Sequence, residues 1–334
     1  MLRAAKPGAP RTLASNLIPP GVTVMTATTR LALPQRPRRR LRFQTLLPYL
    51  LSLPALLVCI GILIPFFVAV GYSLQRYNLS FPDQREYIWF DNYIDLLTDG
   101  AFWNTVRVSL VYMLATVGVQ LLLGMGIALL LKERNRVNNA LSVLLILPLM
   151  VAPAIASLMW KLMTNPGFGV LNYLLGLLGI RDFGWSSHPD TAMFTVVLVD
   201  TWVYTPFIVV LLLAGLRALP PQPFEAAQLD GVPASFVFFR ITLPMLTPYI
   251  LTACMFRMLD SMQQFDIIYS MTQGGPGDAL TVFQVQAYLE AFSFSNIGKS
   301  AALVLILWVI TYALSTLFIR HWLKLRQRAR GGQV

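Results

Sequence analysis

Apolar residues in this chain come in long unbroken stretches, not in the half-buried stripes of soluble helices. Stretches at about 46–72, 106–131, 141–163, 192–214, 246–270 and 300–320 each hold the roughly 20 residues that a helix needs to cross a bilayer. The pattern predicts an all-α, polytopic membrane protein with six transmembrane helices. The first stretch follows a basic run, as the core of a signal peptide would, but exceeds the roughly 7–15 residues of such a core, so it reads as a span. Between the first two spans, Tyr93, Leu96 and Leu97 are spaced as on an amphipathic helix lying along the membrane surface. Trp89, Phe90 and Trp103 read as interfacial anchors, with a ligand-binding aromatic box as the other reading.

Composition agrees with the pattern: 56% of the residues are hydrophobic and 12% charged, far from soluble averages. The formal charge of +11 would suit a nucleic-acid binder, but its placement excludes that class. Arg36, Arg38, Arg39, Arg40 and Arg42 precede the first span, and Arg320, Lys324, Arg326, Arg328 and Arg330 follow the last, the distribution of cytoplasmic flanks. Six spans place both ends on that side, together with Lys132, Arg134 and Arg136 and the segment 217–244. The opposite loops then hold Asp83, Glu86, Asp91, Asp95, Asp99, Asp182, Asp190, Asp278 and Glu290. Residues 1–44 read as a disordered basic cytoplasmic tail, within which Met25 offers another start, and 321–334 as a second basic tail. Cys59 and Cys254 fall inside apolar stretches without metal-ligand spacing and read as small buried hydrophobes.

Ionisable side chains within spans are costly, about 2.5–3.5 kcal/mol each, and ask for a reason. Arg107 and Lys161 lie near span ends, where long side chains reach water. Arg257 and Asp260 sit mid-span three residues apart and share a stripe with Ser261 and Gln264, so their charges neutralise each other in an interface or a watery cavity. Gln263, Asp266 and Tyr269 take the other side of the same predicted helix, and Asp200, Trp202, Tyr204 and Pro206 mark the fourth span. Two readings fit these polar faces: helices locked to neighbours by hydrogen bonds, or helices lining a solute pathway. In the second reading, carboxylate, amide and aromatic groups are offered to the hydroxyls of a solute.

The polar interval Glu225–Pro244, EAAQLDGVPASFVFFRITLP, reads as helix, turn, helix. Glu225, Ala226 and Ala227 suit a helix start, Gly231 a left-handed turn, and Pro233 opens a second helix that Pro244 ends. The spacing Glu-Ala-Ala, three residues, Gly, nine residues, Ile-x-Leu-Pro resembles the EAA motif of binding-protein-dependent ABC importer permeases. Phe265, Asp266, Tyr269, Thr272, Gly274, Gly275 and Pro276 are similar to the same region in the maltose-type and glycerol-phosphate-type carbohydrate branch, in the subunit with the Gly-Gly-Pro outer turn. The resemblance covers roughly residue 45 to the C-terminus and implies a type I importer permease fold in a bacterial inner membrane. It also implies pairing with a second permease subunit, two cytoplasmic ATPase subunits and an extracytoplasmic solute-binding protein. Glu225, Ala226, Ala227, Asp230, Gly231, Phe236 and Phe239 would then form the ATPase-docking surface. The substrate pathway would fall among Asp200, Trp202, Tyr204, Asp260, Gln263, Gln264, Asp266 and Tyr269. An importer for an amino acid or peptide is the other expectation.

No catalytic constellation is recognisable. Gly298-Lys299-Ser300 resembles the end of a phosphate-binding loop, but the motif's first glycine would fall on Ser293 and a span follows; ATP and Mg are expected to be bound and ATP hydrolysed by partner subunits, with no cofactor held by this chain.

Overall fold

The computed structural model describes residues 41–180 and 183–331. Met25, Arg36, Arg38, Arg39, Arg40 and Asp182 lie outside the described residues, as do the side chains of Arg42, His321, Lys324, Arg326, Arg328 and Arg330. The chain divides into two compact units, Met1–Val58 and Cys59–Val334. Of the first unit, the start of α1 (Leu41–Ser73) is described. Most of the described apolar side chains from Leu47 to Val68 are exposed, Cys59 among them, so that thiol faces outward and is not the buried hydrophobe its setting in the sequence suggests.

In the second unit, α1 leads to a short antiparallel hairpin of β1 (Gln75–Arg76) and β2 (Glu86–Tyr87), in which Gln75 faces Tyr87 and Arg76 faces Glu86. The helices that follow are α2 (Asp91–Thr98), α3 (Gly100–Leu130), α4 (Arg136–Ile146), α5 (Pro153–Met163), α6 (Val170–Leu177) and α7 (Pro189–Ala218). After them come α8 (Gln222–Leu229), α9 (Ala234–Phe236), α10 (Leu243–Met262), α11 (Asp266–Thr272), α12 (Phe283–Tyr288) and α13 (Ile297–Gly331). Among the described residues, five helical runs are long and apolar enough to span a membrane, or six if one bent pair counts as a single span.

That bent pair is the first departure from the sequence pattern. The stretch 141–163 is not one helix: Arg136–Met150 and Pro153–Met163 meet at 92°. Pro153 supplies the reason. Its ring holds Ala152 extended, at φ −58° and ψ 131°, and lacks the amide that would carry a helix through.

The fifth span departs at both ends. Pro244 does not terminate the helix that begins at Ala234, which runs continuously to Met262. A π turn over Val237–Thr242, closed by the Leu243 amide on the Phe238 carbonyl, makes this possible. The wider turn relieves the clash of the proline ring with the preceding turn. At the other end the helix stops at Met262 and α11 starts at Asp266. The polar run Ser261, Gln263, Gln264 ends the apolar stretch, and Asp266 places a carboxylate in the first turn of the new helix, where the dipole favours it. Gln263, Asp266 and Tyr269 therefore do not share a helix with Arg257 and Asp260. The last helix also outruns its apolar stretch, continuing through residues 321–331.

The unit is built on α3 and α7, which pack along each other. Gly124 permits the approach: a Cβ there would lie 2.5 Å from Ile208 Cγ2. Arg217, in the last turn of α7, donates to the Leu131 carbonyl at 3.0 Å and to the Lys132 carbonyl at 3.4 Å, satisfying carbonyls at the end of α3. Both C-termini meet there, so the two helices run in the same direction. At the other end, α2 is fixed by buried Asn92, whose Nδ2 donates to the carbonyls of Ser73 and Gln75. Leu96 is fully buried and Leu97 is exposed, so one edge of the amphipathic stripe faces protein. Trp89, Phe90 and Trp103 are exposed. Lys299, from the sequence resembling a phosphate loop, pairs with Glu290 at 3.6 Å and Asp99 at 3.9 Å. A Cβ on Gly298 would collide with the Gln75 carbonyl oxygen.

Gly124→Ala is expected to destabilise the assembled protein by about 1–3 kcal/mol through overpacking. In an Ile208→Ala background the same change should cost clearly less, as read by thermal denaturation of the four variants in detergent; equal costs would show that the contact does not limit the packing.

Candidate functional site

Two regions concentrate the polar chemistry. The first is the interval between α7 and α10. Pro221 starts α8, accepting on its carbonyl the amides of Phe224 and Glu225, and Glu225 is exposed in the first turn. Ala226 and Ala227 part company: Ala226 is exposed, while Ala227 is buried. The helix ends in a Schellman motif, with the Gly231 amide on the Gln228 carbonyl and the Val232 amide on the Ala227 carbonyl, both at 3.2 Å. This requires a left-handed residue after the cap, and Gly231 has φ +65°. Asp230 caps the helix and is exposed. Leu229 is 89% exposed, Phe239 63% and Phe236 47%, so the turn displays apolar side chains that no other described residue covers.

The second region is a buried polar layer joining α3, α7 and α10. Arg257 is 2% exposed and Asp200 is fully enclosed. The guanidinium donates from Nη2 to Asp200 Oδ2 at 2.7 Å and from Nε to Gln120 Oε1 at 2.8 Å. From Nη1 it donates to Asp260 Oδ2. Gln120 fixes the layer in register, since its Nε2 donates to Asp200 Oδ2 at 2.7 Å while its carbonyl accepts from Arg257. The flat face of the guanidinium lies 4.1 Å from the centroid of the Tyr204 ring, an attraction of about 2 kcal/mol when water is excluded. Thr116 and Ser261 hydroxyls meet at 3.1 Å beside it. Asp260 differs from Asp200 in one respect: its side chain is 50% exposed. A cavity of about 250 Å³ opens there, lined by Leu149, Tyr204, Phe207, Phe256, Arg257 and Asp260.

Of the residues that the sequence suggests for a solute pathway, the structure therefore brings Asp200, Tyr204 and Asp260 together. Gln264 is buried nearby in sequence but takes no part in the layer. Trp202 turns to another face of α7 and meets Trp160 edge-on at 6.0 Å. Gln263 lines a separate groove with Gln284, Trp308 and Tyr312. Tyr269 stacks on Phe265 at 4.8 Å and meets Tyr288 at 4.7 Å, while Asp266 is exposed. Gln120 is the member that sequence reasoning missed. Its signal was an amide in the middle of an apolar stretch, weaker than a charge. Pro206 does not interrupt α7, which is continuous from Pro189 to Ala218.

Comparison with known proteins places both regions in a context. Residues 120–328 match the family described as binding-protein-dependent transport system inner membrane component. A probable ABC transporter permease protein, y4oQ of Sinorhizobium fredii, is 36% identical over 296 residues, covering 88% of this chain and 95% of the relative. The trehalose/maltose transport system permease protein MalF of Thermococcus litoralis is 32% identical over 275 residues, 82% of this chain and 92% of the relative. A chain in the crystal structure of a bacterial alginate ABC transporter with an alginate pentasaccharide-bound periplasmic protein shares the fold. Its TM-score is 0.70 at 19% identity, over 82% of this chain and 93% of that one.

Asp200→Ala leaves Arg257 Nη2 and Gln120 Nε2 buried without their acceptor, at about 1–3 kcal/mol for each unsatisfied group and more for a charged one. Asp200→Ala is expected to show that loss in thermal denaturation of the purified protein, whereas Asp260→Asn, at a half-exposed position, should cost less than half as much. Similar losses for the two would mean that Asp260 is as enclosed as Asp200.

Proposed function

This chain belongs to the family of binding-protein-dependent transport system inner membrane components, the permeases of ABC importers, and we propose that it carries a sugar or related polyol inward. The observation that carries the reading is the continuous helix Ala234–Met262. One end bears the exposed turn with Gly231, Phe236 and Phe239, and the other bears Arg257 and Asp260 at the mouth of the cavity. At 1.5 Å per residue, Phe239 and Arg257 are roughly 27 Å apart along the axis. A push on the turn reaches the cavity without crossing a flexible joint.

In this reading the chain holds no ATPase site and is a transport component. Its turn docks on a separate cytoplasmic ATPase subunit, which binds and hydrolyses ATP with Mg. Glu225 and Asp230 offer carboxylates to basic groups there, and Leu229, Phe236 and Phe239 enter an apolar cleft. Two such ATPases, a second permease and an extracytoplasmic solute-binding protein complete the importer. The trehalose/maltose relative supports a carbohydrate cargo, and the chemistry of the cavity agrees. Tyr204, Phe207 and Phe256 present aromatic faces to a ring, and the Asp260 carboxylate accepts from hydroxyls. Its volume of about 250 Å³ falls below the roughly 300–1,000 Å³ of complete ligand sites, which suits half of a pathway closed by the second permease.

The test is ATP-dependent uptake of labelled sugars into vesicles containing all subunits. Gly231→Asp is the informative variant. No atom lies within 4 Å of the added Cβ, and aspartate tolerates a left-handed backbone better than most residues, so the permease should still insert and fold. Uptake and ATPase copurification should both fall at least tenfold. Normal copurification by that variant would remove the docking role of the turn. In the same vesicles Tyr204→Ala should lower uptake with assembly intact, and unchanged uptake would remove the cavity from the pathway.

A further inference from the structure

The cavity lined by Tyr204, Phe207, Phe256, Arg257 and Asp260 contains an arginine, and an arginine in a solute pathway suggests a site for anions. The geometry points the other way. Each of the three guanidinium nitrogens of Arg257 already donates, to Gln120, Asp200 and Asp260, and its flat face is covered by Tyr204. At 2% exposure it has little surface to offer a solute. Two carboxylates stand around one guanidinium, and the one that faces the cavity is Asp260, half exposed, while Asp200 and the guanidinium are enclosed behind it. The remaining lining residues, Leu149, Tyr204, Phe207 and Phe256, are uncharged.

We propose that this cluster is a charge filter, in which Asp260 excludes anionic solutes such as phosphorylated, sulfonated or uronic-acid sugars while admitting uncharged ones. The inference rests on the cavity being part of the solute pathway. Two like charges about 6 Å apart at an effective dielectric of about 20 repel strongly enough for a roughly hundredfold effect, and water in the cavity reduces this to about tenfold. Aromatic faces and a carboxylate acceptor then favour a neutral ring with hydroxyls. Discrimination arises from one repulsive group in addition to the attractive ones.

The charge of the cavity can be read without knowing the cargo. In the assembled importer, with Cys59→Ser and Cys254→Ala removing the native thiols, a reporter is placed on the lining as Phe256→Cys, and separately as Leu149→Cys. Each is reacted with methanethiosulfonates of similar size carrying a trimethylammonium, a hydroxyl or a sulfonate group, and rates are divided by those of the same reagents with mercaptoethanol. The sulfonate should react at least tenfold more slowly than the trimethylammonium reagent at both reporters. Asp260→Asn should bring the two rates within about threefold. Equal rates with Asp260 present, or a difference that survives Asp260→Asn, would overturn the filter while leaving the pathway role of Tyr204 in uptake standing. Strong discrimination together with normal uptake by Tyr204→Ala would instead overturn the pathway reading, and the filter's bearing on solutes with it.

Discussion

One buried arginine holds the centre of this structure. Arg257 cannot be left alone at membrane depth, because an unpaired charge there is costly, and each of its three nitrogens reaches a partner on a different part of the fold: Gln120 on α3, Asp200 on α7 and Asp260 on its own helix. Apolar packing by itself gives α3, α7 and α10 little reason to choose one rotation over another, since lipid is as apolar as a leucine face. The polar layer makes that choice. It also lies between apolar clusters, with Tyr112 on one side along α3 and Ala128 on the other, so rotation or sliding of any of the three helices would bring charge against hydrocarbon.

The same helix that carries Arg257 is continuous with the exposed turn, and the π segment over Val237–Thr242 makes it so. A proline at 244 would ordinarily separate the turn from the span as two bodies joined by a hinge. By widening one turn the chain keeps the proline without the hinge. The Schellman motif at Gly231 then separates α8 from the α9–α10 rod, while the root of the interval is tied by Arg217 to the end of α3.

The all-α membrane class is legible in the sequence because bilayer thickness imposes a length on apolar stretches that few other constraints imitate. The interval from Glu225 is legible for a different reason, since a left-handed turn and two short helices demand particular residues at fixed spacing. The sequence does not show where apolar stretches break. Pro153 and Pro244 look alike as helix breakers; one produces a 92° bend and the other is absorbed by a π turn, and the difference depends on what packs around each. Contacts across helices are equally hidden. Arg257 and Asp260 are three residues apart and visible as a pair, but Asp200 and Gln120 lie 57 and 137 positions away from Arg257, beyond any local pattern. Tyr269 has the chemistry of a pathway residue by composition, and its place in an aromatic cluster on α11 and α12 is not legible from that.

The two carboxylates around Arg257 differ in how far the fold encloses them. Asp200 shares its Oδ2 between Arg257 and Gln120 and has no exposed surface, so it cannot exchange a partner without opening the seam between α3 and α7. Asp260 is held by Arg257 on its own helix and keeps half its side chain exposed. Asp260 can change partner while the arginine stays satisfied from behind by Asp200 and Gln120, so the enclosed carboxylate fixes the seam between the helices and the exposed one does not.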